Sequence, residues 1–246
     1  MAAKKKNPKP ANESSPQVET RKKILIVDNH PLVREWFFKR ITDGKDGLVV
    51  TASAGSGLEA LQSMEAAIPD IVICSLSLPD MFGIELIKDI RARFPGMPVL
   101  VVSLHSDSMY AERALRAGAL GYVCKQSETD DIITAIYRVL DGEIYLSEPM
   151  AAAILKKFAQ GTETTLAGEV DGLSDRELEI FQLVGIGKSS KEIADQLHIG
   201  FKTVESYKTR LKEKLDLDSS RELLQHAIQW VLAEAAQDEG QNPPGH

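Results

Sequence analysis

Five short apolar runs constrain this chain most: ILIV at 24–27, LVVTASA at 48–54, IVIC at 71–74, VLVVS at 99–103 and YVC at 122–124. Each has the length of one buried strand and is too short for an ordinary helix. The stretches between them carry apolar residues at helical spacing, Leu32, Val33, Trp36, Phe37 and Ile41 after the first run and Leu58, Leu61 and Met64 after the second. Apolar strands alternating with amphipathic helices predict an α/β unit, a doubly wound parallel sheet with helices on both faces. The unit closes near residue 141, after a helix bearing Ile132, Ile133, Ile136 and Leu140.

The pattern changes on either side of that unit. Residues 1–23 hold seven basic and two acidic side chains, a net of +5, with Pro8, Pro10 and Pro16 and few large apolar groups. Such a stretch buries too little surface to offset its ordering entropy and is expected to be a disordered basic tail. Residues 142–172, rich in Gly and Thr, are expected to be a linker with one helical piece at roughly 148–159. From 173 to 235 strand texture is absent and four short amphipathic helices are predicted; 236–246 is a polar tail. Ser174 with Glu177, and Ser189 with Glu192, have the spacing of capping boxes.

Composition narrows the setting. Two cysteines in 246 residues argue against a disulfide-built secreted scaffold. No apolar run approaches the ~20 residues of a membrane span, and the basic N-terminus lacks the apolar core of a secretory leader. A soluble, cytoplasmic protein without membrane contact is the expectation. The net charge of −7 would by itself disfavour a polyanionic partner.

The distribution of charge reverses that inference. On a helical wheel from Lys202, Val204, Leu211 and Leu215 gather on one side, and Lys202, Glu205, Ser206, Thr209 and Glu213 form the outward stripe. Residues 202–214 carry five basic and two acidic groups, a net of +3, which with the tail leaves −15 for everything else. A basic helix with short polar side chains suits a DNA groove. Glu205 and Ser206 are the candidate base readers. Lys188, Ser189, Lys191, Lys202, Thr203, Tyr207, Lys208, Thr209 and Arg210 are the other candidate contacts.

The segment LSDRELEIFQLVGIGKSSKEIADQLHIGFKTVESYKTRLKEKL resembles the LuxR-type helix-turn-helix of the NarL/FixJ class of response regulators. The capping boxes, the KEIA helix and the TVES start of the reading helix recur in order. The resemblance implies double-stranded DNA as partner and a homodimer formed through a final helix, Leu223 to Leu232 with Ile228 between. Gly200 stands where the family usually places a capping Ser, a loss of at most a few tenths of a kcal/mol.

VDNHPLVREWF, PDIVICSLSLPDMFGIELI, VVSLHSD and GYVCKQSE resemble, in order, the strand ends of a response-regulator receiver, which implies a flavodoxin-like (βα)5 domain over 24–141. The family's chemistry places two acids after the first strand for Mg²⁺, an acceptor Asp after the third, a Ser or Thr after the fourth and a Lys after the fifth. Those positions here are Asp28 and Asn29, Ser75, Ser103 and Lys125. Ser103 and Tyr122 match the family's switch pair. With one carboxylate among three positions, Mg²⁺ binding is expected to be weak or absent, and Ser75 has no matched base to activate it.

The expected function is therefore a DNA-binding transcriptional regulator controlled without aspartyl phosphorylation, through dimerisation, a regulatory protein or a small ligand, and not an enzyme. Two other readings remain open. A Ser75–Lys125 dyad requires a neutral lysine, which Asp28 opposes. An adaptor that titrates another regulator without binding DNA draws on Glu205 and Glu213, which repel phosphates. Cys74 and Cys124 are expected in the core on strands too far apart to bridge, His30 at the start of a helix, and Phe82 in packing.

Overall fold

A computed structural model describes residues 21–44, 47–104, 108–160, 170, 172–197 and 199–239. The expected tail at 1–23 ends inside a strand that starts at Lys22, and that at 236–246 begins inside a helix that runs to Glu239; the rest of both tails and the later part of the linker lie largely outside the described residues. Five parallel strands, β1 (Lys22–Val27), β2 (Leu48–Ala54), β3 (Ile71–Cys74), β4 (Val99–Ser103) and β5 (Gly121–Cys124), form one sheet in the order β2-β1-β3-β4-β5. The helices between them are α1 (Pro31–Asp43), α2 (Gly57–Ala66), α3 (Gly83–Arg93), α4 (Ser108–Ala117) and α5 (Thr129–Leu140).

Strand alternation divides the apolar residues between two layers. Ile24, Ile26, Ile71, Ile73, Leu100 and Val102 face α1 and α5, where Phe37, Ile41, Ile132 and Ile136 meet them. Leu25, Val27, Val72, Cys74 and Val101 face the other way, toward Leu61 and Met64 of α2 and Ile84 and Ile87 of α3. Full burial of each such side chain contributes about 1.5–3 kcal/mol. The strand order reverses between β1 and β3, so their carboxyl ends open a crevice at that point.

The segment expected as a linker begins as part of the sheet edge. Tyr145 N donates to Leu120 O at 2.9 Å, and Tyr145 O accepts from Tyr122 N at 2.9 Å. It continues as α6 (Glu148–Gln160), which lies against α4.

Four helices follow: α7 (Asp175–Gly185), α8 (Ser190–Leu197), α9 (Phe201–Lys214) and α10 (Ser220–Glu239). Their core joins Leu178, Phe181, Ile193, Val204, Leu211, Leu223 and Trp230. Gly185 allows α7 to approach α10; a Cβ there would stand 2.4 Å from Ala227 O. Ser174 caps α7 with Glu177 in a reciprocal box, and Gly200 caps α9 with no side-chain bond.

Candidate functional site

The crevice at the carboxyl end of the sheet collects the polar residues that the sequence placed after the strands. Asp28 follows β1, Ser75 follows β3, Ser103 ends β4 and Lys125 follows β5. Lys125 Nζ lies 2.5 Å from Asp28 Oδ2 and 3.5 Å from Ser75 Oγ. Asp28 Oδ1 accepts from the His30 backbone N at 2.9 Å and meets His30 Nδ1 at 3.1 Å. Asp28, Ser75 and Ser103 are buried. An Asp in so little water needs its charge matched, and Lys125 supplies the match.

Local structure explains the placement. Pro31 opens α1 with His30 as its cap residue, so the chain turns directly over Asp28. Gly83 brings α3 onto the Ser75 loop: its N–H donates to Leu76 O at 2.6 Å, and a Cβ there would stand 2.3 Å from Ser75 O. Phe82 is fully buried, its ring centroid 6.2 Å from that of Tyr110, which gives it the packing role. Asn29 Oδ1 is enclosed without a partner among the described residues. No cluster of three or more His, Cys, Asp or Glu among those residues could hold a metal ion.

The two cysteines sit on β3 and β5 with β4 between them, and both are free. Burial and the nearby Asp28 charge push the Cys74 thiol up to about 12. Cys124 departs from expectation: it ends the short β5 and is only half-buried.

The second candidate surface is the outer face of α9. Val204 and Leu211 are buried as the wheel requires, and Lys202, Thr203, Glu205, Ser206, Thr209 and Arg210 are exposed. Ser206 Oγ donates to Lys202 O at 2.9 Å and Thr209 Oγ1 to Glu205 O at 3.0 Å, so each hydroxyl presents its oxygen outward as an acceptor. The Arg210 guanidinium lies 5.7 Å from the Tyr207 ring centroid. Lys188 and Lys191 are exposed around α8.

Two of the expected contacts have internal work. Lys208 is half-buried, donating to Ser190 Oγ at 3.0 Å and pairing with Glu205 at 3.7 Å, so it braces α9 against α8. Ser189 caps α8: its hydroxyl donates to Glu192 Oε2 at 2.7 Å and accepts from Glu192 N at 3.3 Å. The bond from the Ser189 hydroxyl, with a second from the Ser189 backbone N–H at 2.8 Å, holds the Glu192 carboxyl below the ordinary range. Leu223, at the start of the expected dimer helix, is fully buried against the domain's own core. The exposed stripe of α10 is instead Leu224, Ile228 and Leu232.

A contact that the sequence reading did not identify joins the two halves. Arg113 of α4 donates to Leu173 O at 2.9 Å, Val170 O at 3.0 Å and Asp175 Oδ1 at 3.0 Å. Tyr110 OH donates to Gln182 Oε1 at 2.8 Å, and Ser77 Oγ to Glu179 Oε1 at 3.1 Å. Burial pushes the Glu179 carboxyl above its ordinary range, against the opposing effects of Arg176 and Ser77. The sequence signal was the density of charge in DRELE, where Asp175, Arg176, Glu177 and Glu179 are all buried.

A sheet with its polar groups at the carboxyl ends, joined to four helices with an exposed basic third helix, defines a receiver coupled to a helix-turn-helix. Comparison agrees: residues 24–137 match the response regulator receiver domain, and residues 171–227 match the bacterial regulatory proteins of the luxR family. The chain belongs to this family of response regulators, whose two domains are those of a transcription factor and not of an enzyme. It is similar to the transcriptional activator protein ExaE of Pseudomonas putida, at 37% identity over 87% of this chain and 99% of that protein. It is similar to the oxygen regulatory protein NreC of Staphylococcus carnosus, at 34% identity over 85% and 98%. Among solved structures, a LuxR-family two-component response regulator from Aurantimonas sp. SI85-9A1 matches at 34% identity and a TM-score of 0.53. That match covers 56% of this chain and 98% of the other. RcsB of Salmonella enterica serovar Typhimurium, solved on promoter rprA with the phosphomimetic BeF3−, matches at 25% identity and a TM-score of 0.56 over 85% and 98%. Among the described residues no helix is long and apolar enough to cross a membrane.

Proposed function

We propose that this chain is a DNA-binding transcriptional regulator whose receiver acts without aspartyl phosphorylation. The observation that carries the DNA half is the open outer face of α9: Lys202, Thr203, Glu205, Ser206, Thr209 and Arg210 stay exposed while the receiver rests on α7. That face combines donors for phosphate oxygens with short acceptors for base edges. Salt must weaken it steeply, since each neutralised phosphate releases counterions. Support for the homodimer comes from α10, where Leu224, Ile228 and Leu232 at four-residue spacing form an apolar stripe that a second copy would cover.

The receiver half rests on Ser75 standing in place of the acceptor Asp. A hydroxyl cannot form the acyl phosphate that a carboxylate forms, and the nearest cation, Lys125, is held by Asp28 and takes no proton. Mg²⁺ does not fit here either. A hard divalent cation draws on several oxygen ligands and their charge. Here Asn29 and Ser75 are neutral, and both Asp28 oxygens are engaged by Lys125 and His30.

Two measurements test these halves separately. Selection of bound sequences from a random duplex pool by the full-length protein should enrich a motif, with affinity falling steeply between low and physiological salt. Incubation with acetyl phosphate and Mg²⁺, followed by intact-mass measurement, should show no adduct. A stoichiometric, hydroxylamine-labile adduct would overturn the phosphate-independent reading. The exposure of Glu205 on the reading stripe also supports an adaptor that binds no DNA, and failure to enrich any sequence would select that reading.

A further inference from the structure

Between α1 and the start of α5, above the sheet, lies an open pocket of about 400 Å³. Its walls are mainly apolar: Val33, Trp36 and Phe37 come from α1, Val102 from β4 and Ile132 from α5. The volume falls within the range of small-molecule sites, and an apolar body with a few convergent polar groups is their usual lining. Trp36 is 39% exposed, its ring edge-on to Phe37 at 4.8 Å, so an aromatic face stands available at the mouth. Lys125, Ser127 and Thr129 form the polar end.

Charge decides what fits that end. An ammonium has three donors, of which Asp28 and Ser75 take two among the described residues. Asp28 is balanced by Lys125, and Arg34 adds a further cation, its guanidinium donating to Asp28 O. Lys125 lines the pocket and keeps one donor that neither Asp28 nor Ser75 takes, which can meet an acid. An acidic group suits that end better than a second cation.

We propose that this cavity binds a small amphipathic organic anion, with its acidic group on Lys125 and its apolar body between Trp36 and Ile132. The inference rests on the phosphate-independent reading, because a phosphoryl group at residue 75 would claim the same ammonium. It makes the receiver a ligand sensor.

Two dyes of the same shape class and different charge test it on the full-length protein: anionic 1-anilinonaphthalene-8-sulfonate and neutral N-phenyl-1-naphthylamine. The anionic dye should bind saturably at one site per chain, quench Trp36 emission and be displaced by decanoate. Lys125→Gln should weaken the anionic dye at least tenfold and the neutral dye less than twofold. Because that change leaves Asp28 without its buried partner, the paired variant Asp28→Asn with Lys125→Gln provides the same comparison if the single variant does not fold. Val33→Trp, which fills the cavity, should abolish both signals. Dye binding that survives Val33→Trp, or that falls equally for both dyes in the lysine variants, would overturn the proposal. So would a signal that tracks self-association in sedimentation velocity, which would assign the face to a second copy. The titration reads the cavity whether or not acetyl phosphate labels the chain, so the two readings fail separately.

Discussion

The receiver crevice and the outer face of α9 are built from similar polar residues and treat charge in opposite ways. In the crevice Asp28 and Lys125 satisfy each other within 2.5 Å and both are largely shut from water. On α9, Lys202 and Arg210 have no carboxylate partner among the described residues and stand in solvent. A buried pair that closes on itself contributes to the fold, whereas an exposed cation stays available to a phosphate. The sharpest way to break this comparison is to unpair the crevice. Asp28→Ala is expected to cost about 3–5 kcal/mol by leaving the Lys125 charge buried alone, while Asp28→Asn with Lys125→Met recovers much of it. Urea unfolding of the three chains checks this, and a single-variant cost below 1 kcal/mol would show the pair to be hydrated.

The open face is expected to respond in the complementary way. Lys202→Ala and Glu205→Ala should leave unfolding within about 0.5 kcal/mol of the parent, since neither side chain fills the core. Their effects belong to DNA. Glu205→Ala should relax discrimination at one base position by about 1–3 kcal/mol, and Lys202→Ala should weaken all sequences alike and reduce the salt slope by about one. Competition binding over a series of operator variants and salts separates the two. Identical profiles for both variants would remove the distinction between reading and clamping.

What could be read from sequence follows the same division. The five strands were legible because buried parallel strands are apolar throughout and leave no competing pattern. The α9 face was legible because one helix carries both its core and its exposed stripe. Lys208 and Leu223 have neighbours that were not legible, for a different reason. A wheel places a side chain on an angle and cannot say which neighbour occupies it; α8 reaches Lys208 through Ser190, and Leu223 joins the domain's own core. The charged residues of α7 were hidden more deeply: Asp175 is matched by Arg113 from 62 positions away, and Glu179, paired locally with Arg176, also accepts from Ser77, 102 positions away. No local pattern carries a partner at that distance.

That long-range contact links the two regions, and its hydrogen bonds offer a smaller test. Tyr110 packs on Phe82, beside the Ser75 loop, and donates to Gln182 of α7. Tyr110→Phe keeps the ring and removes the bond, leaving Gln182 Oε1 without that donor at a cost of about 1 kcal/mol. Amide exchange should then quicken in α7 and α4 together while α9 keeps its rates. Unchanged exchange in α7 would mean that the receiver does not hold this helix in solution.

The smallest expected effect concerns acid. Burial pushes the Glu177 carboxyl up, but hydrogen bonds from Lys214 Nζ at 2.6 Å and from Ser174 outweigh it and hold the group below its ordinary range. A carboxyl whose folded pKa is depressed binds its proton more readily in the unfolded chain. Its contribution is thus complete above the unfolded value of about 4.3 and is lost as pH falls through the lower folded value. Lys214→Ala removes the largest lowering partner, so the acid flank of the stability curve should move to higher pH. Lys214 is itself 45% exposed, which screens the pair and keeps the loss at pH 7 below about 1 kcal/mol. Urea midpoints measured from pH 3 to 7 for the parent and Lys214→Ala should converge toward the acid end. Parallel curves would show that Glu177 is held by Ser174 alone and that this end of α9 contributes to the cap only by proximity.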